Sequence, residues 1–140
     1  MRSRTRGILI GATTTVALGL AVAAFAAPTP EEIEVGKRRY MKYCATCHGP
    51  TGTGDGYAAS TFVKKPANLT LLAKQNGGKF PVGEVIGIVK GDQPIAAHGS
   101  REMPVWADIL GSPMSGEYTQ TETDLKILTI VNYLETIQQK

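Results

Sequence analysis

Two cysteines with two residues between them, and a histidine directly after the second, stand at Cys44-Ala45-Thr46-Cys47-His48. No other stretch narrows the possible folds as far. That spacing is the attachment signature of a c-type haem. One helical turn brings both thiols to the two vinyl groups of one porphyrin edge, and the next residue aims its imidazole at the iron. Other uses of paired cysteines lack what they need. A four-ligand zinc site takes two further Cys or His side chains at suitable spacing, and His98 is the chain's one remaining residue of either kind. A thioredoxin-like pair follows a strand and opens a longer helix, whereas here Gly49, Pro50, Gly52, Gly54 and Gly56 follow.

The chain of 140 residues holds at most one small domain, and residues 1–26 read as a segment outside it. Arg2, Arg4 and Arg6 make a basic start, Gly7 to Ala24 is apolar, and Ala24-Phe25-Ala26 has the small-x-small form of a cleavage site. This is the pattern of a secretory signal peptide. The expected mature protein spans 27–140 and is exported to the periplasm. Left uncut, the apolar run would tether it, since its length approaches the lower limit of a membrane span. The formal charge of +3 belongs to the uncut chain: three of its 15 basic residues lie in that segment, and all 12 acids follow Ala27. A mature chain with 12 of each gives no basis for a nucleic-acid partner or an anionic membrane. Export would permit a disulfide, but thioether formation consumes both thiols.

Helical signals recur along the mature chain. Thr29-Pro30-Glu31-Glu32 offers a cap, a proline suited to the first helical position and a capping-box carboxylate. Ile33, Gly36, Tyr40 and Tyr43 then follow at helical spacing, so a helix should run into the cysteine motif. The glycines from Gly49 to Gly56 lack the Gly-Lys-Ser/Thr of a phosphate loop; they read as a flexible turn that lets backbone pass close to a flat cofactor. A short helix is expected over Leu69 to Gln75, stopped by Asn76-Gly77-Gly78. Val82, Val85, Ile86 and Val89 mark a third of about nine residues, with Gly91 as its C-cap. Asp92 to Tyr118 shows no sustained period and reads as a long ordered loop, of the kind that carries function. Thr121 and Asp124 suggest the start of a C-terminal helix whose apolar face is Ile127, Ile130, Val131, Leu134 and Ile137. The expectation is an all-α domain of three to four short helices, too small to bury much surface without help.

These features together resemble the class I cytochromes c, over essentially all of residues 27–140. In that family an N-terminal helix ends at the attachment motif and crosses the C-terminal helix, a glycine and an aromatic residue making the contact. Gly36 and Tyr40 match that pair, and Ile130 and Tyr133 match its partners on the C-terminal helix. The resemblance implies the cytochrome c fold wrapped around one covalently attached haem c. It also places the family's proline, whose carbonyl accepts a hydrogen bond from the proximal imidazole, near Pro66. Here that proline follows His48 by eighteen residues, a wider gap than the family's.

A low-spin haem takes a second axial ligand, and a thioether raises its potential relative to a second imidazole. Met103, Met114 and His98 are the candidates; Met41 precedes Cys44 on the same helix and faces the wrong side. Met103 in Glu102-Met103-Pro104 resembles the family's ligand loop, which makes it the expected iron ligand with His48. His98 then falls beside the site, and Trp106 either packs the core or donates to a propionate. The resemblance implies no enzyme but a monomeric one-electron carrier in a respiratory or other periplasmic chain, with a redox donor and acceptor as partners. The alternatives are a fixed electron port within a dehydrogenase or oxidase complex, or a ligand-binding haem sensor. Lys37, Arg38, Arg39, Lys42, Lys64 and Lys65 crowd the first half of the chain but read as an ordinary solvated face, leaving docking to apolar and backbone contacts near the cofactor.

Overall fold

The computed structural model describes residues 27–92, 103–112 and 119–139. The expected signal segment, His98 and Met114 lie outside them. Every regular element among the described residues is helical, as expected of an all-α chain.

Helix α1, Pro30–Tyr43, starts where the sequence places it. The Thr29 hydroxyl accepts from the Glu32 amide, and the Glu32 carboxylate accepts from the Thr29 amide at 2.7 Å. Two donors that a helix start leaves unpaired are thereby satisfied. Those hydrogen bonds also hold the Glu32 carboxyl below its ordinary range. The C-terminal helix α6 spans Gln120–Thr136 and is capped in the same reciprocal way, by Thr119 and Glu122. This corrects the expected start at Thr121. Asp124 instead accepts from Gln120 and pairs with Lys90 at 3.0 Å.

Helices α1 and α6 cross at Gly36. A Cβ there would run into the carbonyl of Thr129 on α6, so only glycine admits the approach. One turn later the fully buried Tyr40 sets its ring 5.4 Å from that of Tyr133. Arg39 donates to the Thr129 hydroxyl at the edge of the crossing. Below it, Ile127, Ile130, Val131 and Leu134 are buried as the apolar period foretold. Ile127, Ile130 and Val131 are each about 1 % exposed or less, and burying such side chains contributes about 1.5–3 kcal/mol apiece. The core is therefore concentrated along α6.

The remaining elements dress this pair. A single turn, α2 (Ala45–His48), continues from α1 across Cys44. After a 3-10 turn at Leu69–Leu71 comes α3, Leu72–Gln75, together filling the expected short helix. Helix α4, Val82–Lys90, buries Val85 and Val89 and ends on Gly91 at φ 88°, the left-handed C-cap the sequence suggested. The long loop is broken by α5, Trp106–Leu110, which the sequence reading missed. Its carboxyl end is held from α6, where Lys126 donates to the Leu110 carbonyl at 3.0 Å. The chain's last residues clasp the middle segment: the Gln138 side chain donates to the carbonyls of Leu69 and Leu134 and accepts from the Ala73 amide.

Candidate cofactor site

The cysteine motif folds as one turn hung from a single carbonyl. Cys44 closes α1, and its C=O accepts from the amides of both Cys47, at 3.1 Å, and His48, at 2.9 Å. Both cysteines are free, and both line one apolar cavity together with His48. Met103 and Trp106 line it too, so the sequence-predicted donor set of Cys44, Cys47, His48 and Met103 comes together on one cavity although its last member is distant in sequence.

The glycine-rich stretch holds that turn in place. Its chain folds back beside the motif, and the amides of Gly54, Gly56 and Ala58 donate to the carbonyls of His48, Cys47 and Thr46. These are the carbonyls a helix end leaves unpaired. Gly54, at φ 84°, also lies against the Pro66 carbonyl, where a Cβ would collide. None of these glycines lines the cavity. Gly56 packs against the backbone of Thr46 and Cys47 and Gly54 against that of Pro66 and Ala67, so the close approaches these two permit are between stretches of the chain itself. The buried Tyr40 hydroxyl donates to the Gly49 carbonyl at 2.6 Å, tying the turn to the helix crossing. Burial is the main reason that phenol titrates well above its ordinary range.

His48 Nδ1 lies 3.0 Å from the Ala67 carbonyl. A carbonyl only accepts, so the proton sits on Nδ1 and Nε2 keeps its lone pair. Ala67, not Pro66, is thus the acceptor, because the Pro66 carbonyl is turned against Gly54. A backbone oxygen leaves no mark in sequence, and only the neighbouring proline could have pointed there. Burial pulls the imidazole pKa down while the Ala67 bond pulls it up, and burial dominates. The ring is consequently neutral near pH 7, the form that ligates metals.

Burial pushes the Cys44 thiol up to about 12, with the Cys47 thiol adding to the rise. Among the described residues no three His, Cys, Asp or Glu side chains stand together to hold a metal ion.

The cavity cuts into the core. Val85, Val89, Ile130 and Leu134 are at once core residues and cavity wall, and Leu69, Leu72 and Phe62 add to the apolar lining. Its empty space, open mouth included, amounts to about 1070 Å³. Tyr43 and Trp106 meet on its rim with ring centres 5.9 Å apart. An apolar slot edged by two thiols, a neutral imidazole and a thioether suits a flat, largely apolar ring with a soft metal at its centre. Among the described residues it offers no cluster of carboxylates for a sugar or a hydrated cation. No protein-family model, curated protein or solved structure matches the chain.

Proposed function

We propose that this protein is an exported monohaem c-type cytochrome, with a cytochrome c fold, that carries single electrons between redox proteins of a periplasmic chain. The observation that carries the reading is the convergence of Cys44, Cys47, His48 and Met103 on one apolar cavity. Cys44 and Cys47 would hold the haem as thioethers, and His48 Nε2 and the Met103 sulfur would ligate its iron. When bound, the haem supplies the one-electron ferric/ferrous couple. The protein's own part is to hold and to shield. The Ala67 carbonyl keeps the His48 proton on Nδ1 and orients the ring, a role that raises the basicity of a ligating imidazole. The apolar wall of Val85, Val89, Ile130 and Leu134 excludes water, and with it the thioether favours the reduced state. No bond of a substrate is made or broken, so the protein is no enzyme.

The absorption spectrum of the purified protein tests this. Bound thioether gives low-spin bands with a weak near-infrared charge-transfer feature. Met103→Ala should keep the haem attached but lose that feature, turning high-spin or taking a substitute nitrogen ligand. A high-spin native protein that binds carbon monoxide rapidly would make it a ligand-binding sensor. An unchanged spectrum in Met103→Ala would move the ligand to another residue.

A further inference from the structure

The loop between the cysteine motif and Ala67 carries two apolar side chains that the fold leaves bare. Val63 is 100 % exposed and Tyr57 is 96 % exposed, well above the other exposed large apolar residues described. Single apolar residues on a surface mean little. Here two stand six positions apart on one loop whose backbone is pinned: the Ala58 amide donates to the Thr46 carbonyl, and the Thr61 hydroxyl donates to the Ala58 carbonyl at 2.7 Å. Phe62 and Lys64 line the cavity, and Val63 between them is exposed to solvent. Val63 therefore sits beside the cavity's mouth.

Charge singles out the same segment. From Gly56 to Pro66 the chain holds Lys64 and Lys65 and no acid, although it is balanced overall after Ala27. Both lysines are exposed. The wide gap between His48 and Pro66 is where this sequence departs from the spacing it otherwise resembles, and Tyr57 and Val63 both lie in it.

We propose that the Gly56–Pro66 loop is the docking element for a partner protein whose contact surface is apolar at its centre and acidic around it. This rests on the reading of the cavity as a haem site, because only then is its mouth the place where an electron leaves. Buried aromatic and aliphatic anchors supply most of the energy of such a contact, and charges around them mainly speed the encounter. An anionic bilayer also accepts apolar side chains and lysines, but one pressed on this loop would cover the mouth and bring no electron acceptor to it.

The experiment is stopped-flow oxidation of the reduced, haem-loaded protein by a small acidic copper electron-transfer protein. Tyr57→Ser with Val63→Ser should slow the second-order rate about tenfold, the loss of two central contacts. Lys65→Glu should slow it about threefold at low ionic strength and less as salt screens the charge. Leu125→Ser, which removes an exposed apolar residue of α6 outside the cavity lining, should change nothing. Absorption spectra recorded first separate the two claims. Native spectra with unaltered rates in the loop variants overturn the docking surface. Rates that hold while binding to phosphatidylglycerol vesicles is lost also overturn it, in favour of a lipid surface. A protein without a haem spectrum overturns the cavity reading, and the docking proposal with it.

Discussion

The α1–α6 crossing and the cavity wall are built from overlapping residues but by opposite rules. At the crossing protein packs on protein: Gly36 admits the Thr129 carbonyl, and the Tyr40 and Tyr133 rings meet. Around the cavity, Val85, Val89, Ile130 and Leu134 turn apolar surface toward a slot, and the segment that closes it is held by isolated hydrogen bonds. Leu69 donates its amide to Gly52, Gln139 donates its amide to Thr70, and Gln138 bridges to Ala73. The difference teaches where the fold is self-sufficient. The crossing satisfies itself, and the wall is apolar surface that an apolar cofactor would cover.

The largest effect should come from denying the wall its partner. With Cys44→Ala and Cys47→Ala, the proposed haem could no longer be tethered. Thermal unfolding followed by circular dichroism should lose its cooperative transition, and amide exchange should become fast throughout, because so small a helical core buries too little surface. A haem-free variant as stable as the native protein would erase the distinction between the two regions.

Next in size is an attack on the crossing itself. Gly36→Val drives a side chain against the Thr129 carbonyl, a backbone group that yields only if the helices move apart. Overpacking of this kind costs about 3 kcal/mol, readable as a lowered denaturation midpoint. The haem spectrum of the remaining folded protein should stay native. If the spectrum changed as much as the stability, crossing and wall would be one unit.

Tyr40→Phe probes the link between them. It removes the hydrogen bond from the buried phenol to the Gly49 carbonyl, and leaving a buried acceptor poorer should cost about 1–2 kcal/mol. Chemical denaturation measures this directly.

Much of the crossing was legible in sequence. The Thr29-Pro30-Glu32 cap, the Gly36 and Tyr40 pair and the Ile127, Ile130, Val131, Leu134 face all express local rules: capping chemistry and a period of one helix turn. The cavity was legible only through its donors. Its wall is assembled from residues far apart in sequence, and its hydrogen-bond anchor is the backbone of Ala67, which any residue could supply. The long loop hid α5 because five residues complete too little of a period to register, and no side chain caps its start. The start of α6 was misplaced for a chemical reason. Thr121 with Asp124 and Thr119 with Glu122 share the same spacing, but the longer glutamate is the residue that reaches back to the cap amide.

That distinction gives the smallest effect. Thr119→Ala should cost about 1 kcal/mol, the usual loss for an N-cap, whereas Thr121→Ala should leave the melting temperature nearly unchanged. Calorimetry of the two variants decides between the caps, and a larger loss at Thr121 would return the helix start to that residue.

Covalent attachment at Cys44 and Cys47 tests the whole account most directly. The chain would be expressed in a bacterium that matures c-type cytochromes, unfolded in acid denaturant and analysed by intact mass with absorbance detection. The account expects the haem absorbance to travel with the polypeptide, the mass to rise by one haem, and no free thiol to titrate. A colourless chain of unmodified mass with two reactive thiols would contradict it.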